Sequence, residues 1–239
     1  MEEHVNTYRG SARAAGIWFI LTFVASIPAL FLYKPVVDHA AGYILGAGHD
    51  TRIAFGALLE VILAVSGIAT AVVLFPVLRR VKEGVALGYV AARILESTVI
   101  VVGLISLMSV VTLRQDLAGK GGDAASLTVA GHLLVAVHDW TFLLGPAFVA
   151  GLGNGLLLGY LMYKSELVPR RMAVFGLVAG SLALVTATAV LFGAWDQTST
   201  IGGLFTAPEF VWEAFLGIYL TFWGFRPAGV AALAARRMP

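Results

Sequence analysis

Glu60, His138, Asp139 and Glu213 each interrupt a long apolar stretch of the 239-residue chain. Carboxylates and imidazoles in such surroundings bind cations, relay protons or ligate metals, because burying them is costly unless they have a partner. Together these four make a candidate ligand-binding group. Within it, His138, Glu60 and Glu213 are the residues that would hold a divalent metal such as zinc as a cofactor, neutral imidazole and carboxylate being its usual ligands. The spacing is not that of a known metal motif: neither His-x-x-x-His nor His-Glu-x-x-His occurs. On a helix the adjacent His138 and Asp139 point about 100° apart, so one of them is free to face water.

Arg93, Glu96 and Asn154 form a second polar set. A spacing of three places Arg93 and Glu96 on one helix face, where they pair and reduce each other's burial cost. Asn154, on a different apolar run, supplies a cross-helix hydrogen bond. This pairing accounts for all three residues structurally; a gate or relay is the alternative. Nucleophilic chemistry has little to work with. There are no cysteines, and Ser66, Ser106, Ser109 and Ser181 lie in apolar runs, outside any Gly-x-Ser-x-Gly context.

The elements that must position these groups follow from composition. With 59% apolar residues, 13% charged residues and a mean hydropathy of +0.88, the chain cannot cover itself with a water-compatible surface. Apolar runs long enough to cross a bilayer occupy about 14–33, 53–78, 87–113, 132–163, 172–195 and 208–225. The sequence therefore predicts an all-α integral membrane bundle of six transmembrane helices in one domain. The first run follows Arg9 and Arg13 but lacks a clear cleavage site, and reads as an uncleaved span. The fourth is longer than one crossing needs and contains Pro146, which predicts tilt or a kink.

Orientation follows from Lys and Arg in the connections. Arg9, Arg13, Arg79, Arg80, Lys82, Lys164, Arg170, Arg171, Arg226, Arg236 and Arg237 share one side, against Lys34, Arg52, Arg114 and Lys120 on the other. The positive-inside rule then puts both termini in the cytoplasm and the protein in the plasma membrane. Dispersed between apolar runs, the basic residues form no nucleic-acid stripe, and the partner they imply is the lipid bilayer. Trp140, Trp195 and Trp212 near outer ends, and Trp18, Tyr89, Tyr163 and Trp223 near inner ends, read as aromatic belts. The tail 228–237, apolar then basic, suits a helix lying on the anionic cytoplasmic face.

With these boundaries, a rise of ~1.5 Å per residue places Glu60, His138 and Glu213 about 8–11 Å below the outer ends, with Glu209 nearer the interface. Arg93, Glu96 and Asn154 fall in a separate inner layer. Glycines 151, 155 and 159 recur every four residues and give the fourth span a smooth ridge, and Gly176 and Gly180 offer the fifth the same option. Such faces allow tight helix packing or an oligomer. The string Gly151-Leu-Gly-Asn-Gly155 lacks the strand-turn-helix setting of a nucleotide loop.

Several short strings taken together resemble one known pattern: Phe75-Pro-Val-Leu-Arg-Arg80, Ala86-Leu-Gly-Tyr-Val-Ala-Ala-Arg93 with Glu96, Val137-His-Asp-Trp140, Leu143-Leu-Gly-Pro146 and Val211-Trp-Glu213. They are similar to the bacterial membrane family called domain of unknown function 4386. The resemblance extends from Ala12-Arg-Ala-Ala-Gly16 to Gly224-Phe-Arg-Pro227. It implies a multi-pass protein of the bacterial inner membrane with Glu60, Arg93, Glu96, His138, Asp139, Trp140 and Glu213 at the family's polar positions, and it brings no activity. Three functions fit these residues. One is binding or transport of a small molecule or ion through a polar pocket in the outer half of the bundle. The others are a metal-dependent intramembrane enzyme acting near the outer leaflet, and a non-catalytic structural or regulatory component. Carboxylates outnumber plausible metal ligands and no catalytic spacing exists, which favours the first.

Overall fold

The computed structural model describes residues 2–46, 48–120 and 123–235, with side chains from residue 8 onward except that of Lys120. Arg236, Arg237 and the Lys120 side chain, which enter the orientation argument, lie outside the described residues. All regular structure among the described residues is helical. In chain order it comprises α1 (Glu2–Asp38), α2 (Ala40–Leu45), α3 (Asp50–Lys120), α4 (Ala124–Phe142), the π-helical segments π1 (Leu143–Val149) and π2 (Gly151–Leu158), α5 (Gly159–Ser165), α6 (Arg170–Leu191), α7 (Thr200–Phe222) and α8 (Pro227–Ala235).

Among the described residues four stretches are long and apolar enough to cross a membrane: Tyr8–Asp38, Asp50–Gly119, Ala124–Ser165 and Arg170–Leu191. Two differences separate them from the six predicted runs. The second and third runs lie in the single element α3, and residues 79–86 are not a loop. Only Lys82 leaves helical geometry there, with φ −161° and ψ 103°. This stretch contains no proline and is mostly helix-forming, so the helix persists up to the break. The chain folds back at Lys82: Arg93 Nε donates to the Gly67 carbonyl at 3.1 Å and Ser97 Oγ to that of Ala64 at 2.9 Å, which makes the two arms antiparallel. The sixth run falls in α7, a 23-residue helix that contains Pro208, Glu209 and Glu213 and is not among the four.

α4 and α7 also begin about eight residues earlier than the apolar runs suggest. Asp123 caps α4, its Oδ2 accepting from the Ser126 amide at 3.1 Å, and the Ser199 hydroxyl caps α7 by accepting from the Gly202 amide at 3.1 Å. Pro146 sits in π1. It has no N–H to give, and its ring crowds the carbonyl four residues earlier. The helix passes it by widening to π geometry.

Buried apolar side chains form two cores. One gathers Phe19, Leu74, Tyr89, Leu158, Trp212 and Leu216; the other gathers Tyr33, Tyr43, Ile44, Leu107 and Val110. Tyr89 and Trp212 are thus core residues, fully buried, and not the belt aromatics expected of them. Trp140 and Trp223 are exposed. Large apolar side chains such as Phe31, Phe55, Ile105, Leu133 and Phe222 cover the outside, as lipid contact would require. The glycine ridges are consumed within the chain. A Cβ on Gly155 would collide with the Gly180 backbone, one on Gly159 would meet Leu177, and one on Gly176 would meet the Trp212 ring. The faces expected to serve an oligomer are therefore occupied inside one copy.

Candidate functional site

The two cores leave a gap between them along the bundle. On α1 the first core uses residues up to Phe19 and the second starts at Ala29; on α3 they use residues 71–89 and then 53 and 107–111. The intervening segments enclose a cavity of about 130 Å³, measured as space open to the centre of a water molecule. Glu60, Arg93, Glu96, His138, Glu209 and Glu213 line it, together with mostly apolar neighbours from α1, both arms of α3, α4, π1, α6 and α7. Glu60, His138 and Glu213 from the expected outer layer and Arg93 and Glu96 from the inner one line this one cavity, which lies between the two cores. The reason lies in the helix starts. With α4 beginning at Ala124 and α7 at Thr200, His138 and Glu213 sit roughly 20 Å from those ends, twice the expected depth.

Arg93 is 3% exposed, and its Nη1 lies 2.6 Å from Glu96 Oε2 while its Nε is committed to the Gly67 carbonyl. Asn154 does not join this pair. Its Nδ2 donates to Glu213 Oε1 at 2.5 Å, and its backbone carbonyl accepts from Trp212 Nε1 at 2.9 Å. The Asn154 side chain thereby holds a carboxylate of α7 while the π2 backbone holds the neighbouring indole. Glu60 accepts from the Tyr33 hydroxyl at 3.4 Å, and the Tyr33 ring meets His138 edge-on with centroids 5.4 Å apart. His138 is buried; its Nδ1 lies 3.5 Å from Asp139 Oδ1, at the limit of a hydrogen bond. The Asp139 side chain itself is 57% exposed and is not part of the cavity wall.

Among the described residues no three His, Asp or Glu side chains gather closely enough to hold a metal ion. His138, Glu60 and Glu213 share a cavity without forming a ligand set, because their helices bring them to different parts of its wall. The residue that the sequence undervalues is Glu209. It is 5% exposed, it lines the cavity, and neither carboxylate oxygen accepts a hydrogen bond from another described group. Its spacing from Glu213 is the signal that could have found it, since residues four apart occupy one helix face.

These features define a class: an all-helical protein with helices of membrane-crossing length and, between two apolar cores, a cavity onto which several ionisable side chains face. Within that class the chain belongs to the family described as Domain of unknown function (DUF4386), which matches residues 14–224. No curated protein and no solved structure matches it.

Proposed function

We propose that the chain is a single-domain, multi-pass protein of the bacterial inner membrane that crosses six times with both termini cytoplasmic, and that it binds or transports a small molecule or ion in the mid-bundle cavity. The six crossings are supported by the fold-back at Lys82: α3 would be about 105 Å long if straight, far more than the ~30 Å of a hydrocarbon core, whereas each arm suits one crossing. α7, at 23 residues, supplies the sixth. Contacts that draw basic segments to one end support the orientation. Arg80 Nη1 donates to the Tyr8 hydroxyl at 2.8 Å, beside Arg9, and the Arg226 amide donates to the Leu167 carbonyl at 2.8 Å, beside Lys164 and Arg170.

The chain lacks cysteine, so single cysteines report topology cleanly. A cysteine at Thr198 is expected to react with a membrane-impermeant maleimide in intact cells, and one at Gly84 only after permeabilisation. The reverse pattern would invert the orientation, and labelling of both in intact cells would break the crossing count.

One observation carries the binding reading: ionisable side chains from α3, α4 and α7 converge on one cavity. Intramembrane charge of this kind marks ligand or ion sites. Thermal melting of the purified protein against a panel of small cations, anions and neutral molecules tests it. Ligands that stabilise the wild type are expected to lose that effect in Glu60→Gln and Glu213→Gln, both of which stay folded. If no compound stabilises the wild type, or if both variants respond as the wild type does, the binding reading fails.

A further inference from the structure

We propose that the ligand is a lipophilic ammonium, a protonated amine on a compact apolar body, with its N–H groups received by Glu209 and by Glu213 one turn away; this rests on the binding reading above. The charge inventory of the wall comes first. Glu60, Glu96, Glu209 and Glu213 face the imidazole of His138 and one guanidinium, Arg93, whose Nη1 and Nε are already committed to Glu96 and Gly67. Such a wall repels anions and attracts cations.

Glu209 adds an independent observation. An acceptor pair that is 95% buried and hydrogen-bonded to no other described group is costly to keep unless something donates to it. Glu96 has Arg93, Glu213 has Asn154 and Glu60 has Tyr33; Glu209 alone among the four has no donor from the described residues. A bare inorganic cation would need three or more such groups close together, and among the described residues no three His, Asp or Glu side chains come that close. An ammonium needs fewer, because each N–H makes its own directed, charge-assisted bond.

The rest of the wall describes the rest of the ligand. Leu63, Ile100 and Leu104 form apolar lining, and Phe23 and Phe210 stand edge-to-face with ring centroids 5.7 Å apart. Phe23 is the midpoint of Tyr8–Asp38, and Phe210 is next to the midpoint of Thr200–Phe222. Phe210 lines the cavity while half its surface is exposed on the outside of the bundle, and Leu30 does the same at 36%. The cavity therefore opens between α1 and α7 at the depth of the bilayer's hydrocarbon. A molecule that reaches carboxylates from that side carries its charge on a body soluble in lipid.

Three probes with one apolar body test this: 1-aminoadamantane, 1-hydroxyadamantane and adamantane-1-carboxylate, titrated calorimetrically into the full chain in phospholipid nanodiscs, with empty nanodiscs as blanks. The amine is expected to bind, and the alcohol and the carboxylate to bind about tenfold more weakly or not at all. Glu209→Gln is expected to lose about tenfold in amine affinity and Glu209→Asp to retain most of it, each first checked for a monodisperse, helical product. The three-probe comparison needs no variant, so a misfolded Glu209→Gln does not shelter the proposal. Equal binding of the alcohol, preference for the carboxylate, or no binding of the amine overturns the ammonium assignment, as does unchanged affinity in a folded Glu209→Gln. The broader cavity reading falls only if the wider ligand panel fails as well.

Discussion

Gly155→Ala and Gly180→Ala are each expected to destabilise the protein by about 3 kcal/mol, a fall of roughly 6–12 °C in melting temperature. Elsewhere in a helix the same change is neutral or stabilising, because alanine restricts the unfolded chain and favours the helix. Here the added methyl has nowhere to go. A Cβ on Gly155 would run into the Gly180 backbone and stand 2.9 Å from Glu209 Oε2, and a Cβ on Gly180 would stand 2.6 Å from the Gly151 carbonyl oxygen. Main chain cannot rotate aside as a side chain can, so π2 and α6 must separate. Gly84→Ala and Gly203→Ala are the controls, since nothing lies within 4 Å of a Cβ at either place. Melting of the four purified variants decides the matter: equal behaviour of all four would mean that the crossing is not close.

The second large effect concerns Arg93. Arg93→Met is expected to cost about 3–5 kcal/mol, because it leaves Glu96 buried without its cation. Arg93→Met combined with Glu96→Gln should recover most of that loss, since exchanging a whole buried pair is far less costly than breaking it. Full recovery is not expected: Arg93 Nε also ties the two arms of α3 through the Gly67 carbonyl, a bond worth about 1 kcal/mol. A double-mutant cycle on thermal or denaturant unfolding measures the coupling. If the double variant is as unstable as Arg93→Met alone, the pair is not the source of the penalty.

Much of the helical architecture was legible because the apolar runs are long and polar residues punctuate them. What was not legible traces to particular residues. At Lys82 a single residue makes the turn, so the stretch from Arg79 to Ala86 contains no Gly-Pro or Asn-Gly signal of a break. At Asp123 and Ser199 the caps lie nine positions ahead of the apolar onset, within segments whose Ser, Thr and Gly content mimics a loop. That displacement pushed His138 and Glu213 too close to the surface in the sequence reading and split one cavity into two layers. Five of the six ionisable residues around the cavity were nevertheless identified from their apolar surroundings. Glu209 is legible only as a residue near an interface, although it is buried, and the Asn154–Glu213 bond is not legible at all because contacts between distant helices leave no periodic trace.

The paired π segments between Leu143 and Leu158 bear on what the cavity could do once occupied. A π turn closes over five residues where an α turn closes over four, so it holds a slack residue in its winding. Tightening one such turn to α geometry would swing whatever lies beyond it by about 100° and slide it by about 1.5 Å. Pro146, Ala147 and Ala150 in the wall, and Asn154 with its grip on Glu213, all ride on this stretch. The helix that walls the cavity thus carries its own screw thread, and the grip of Asn154 on Glu213 depends on how that thread is wound.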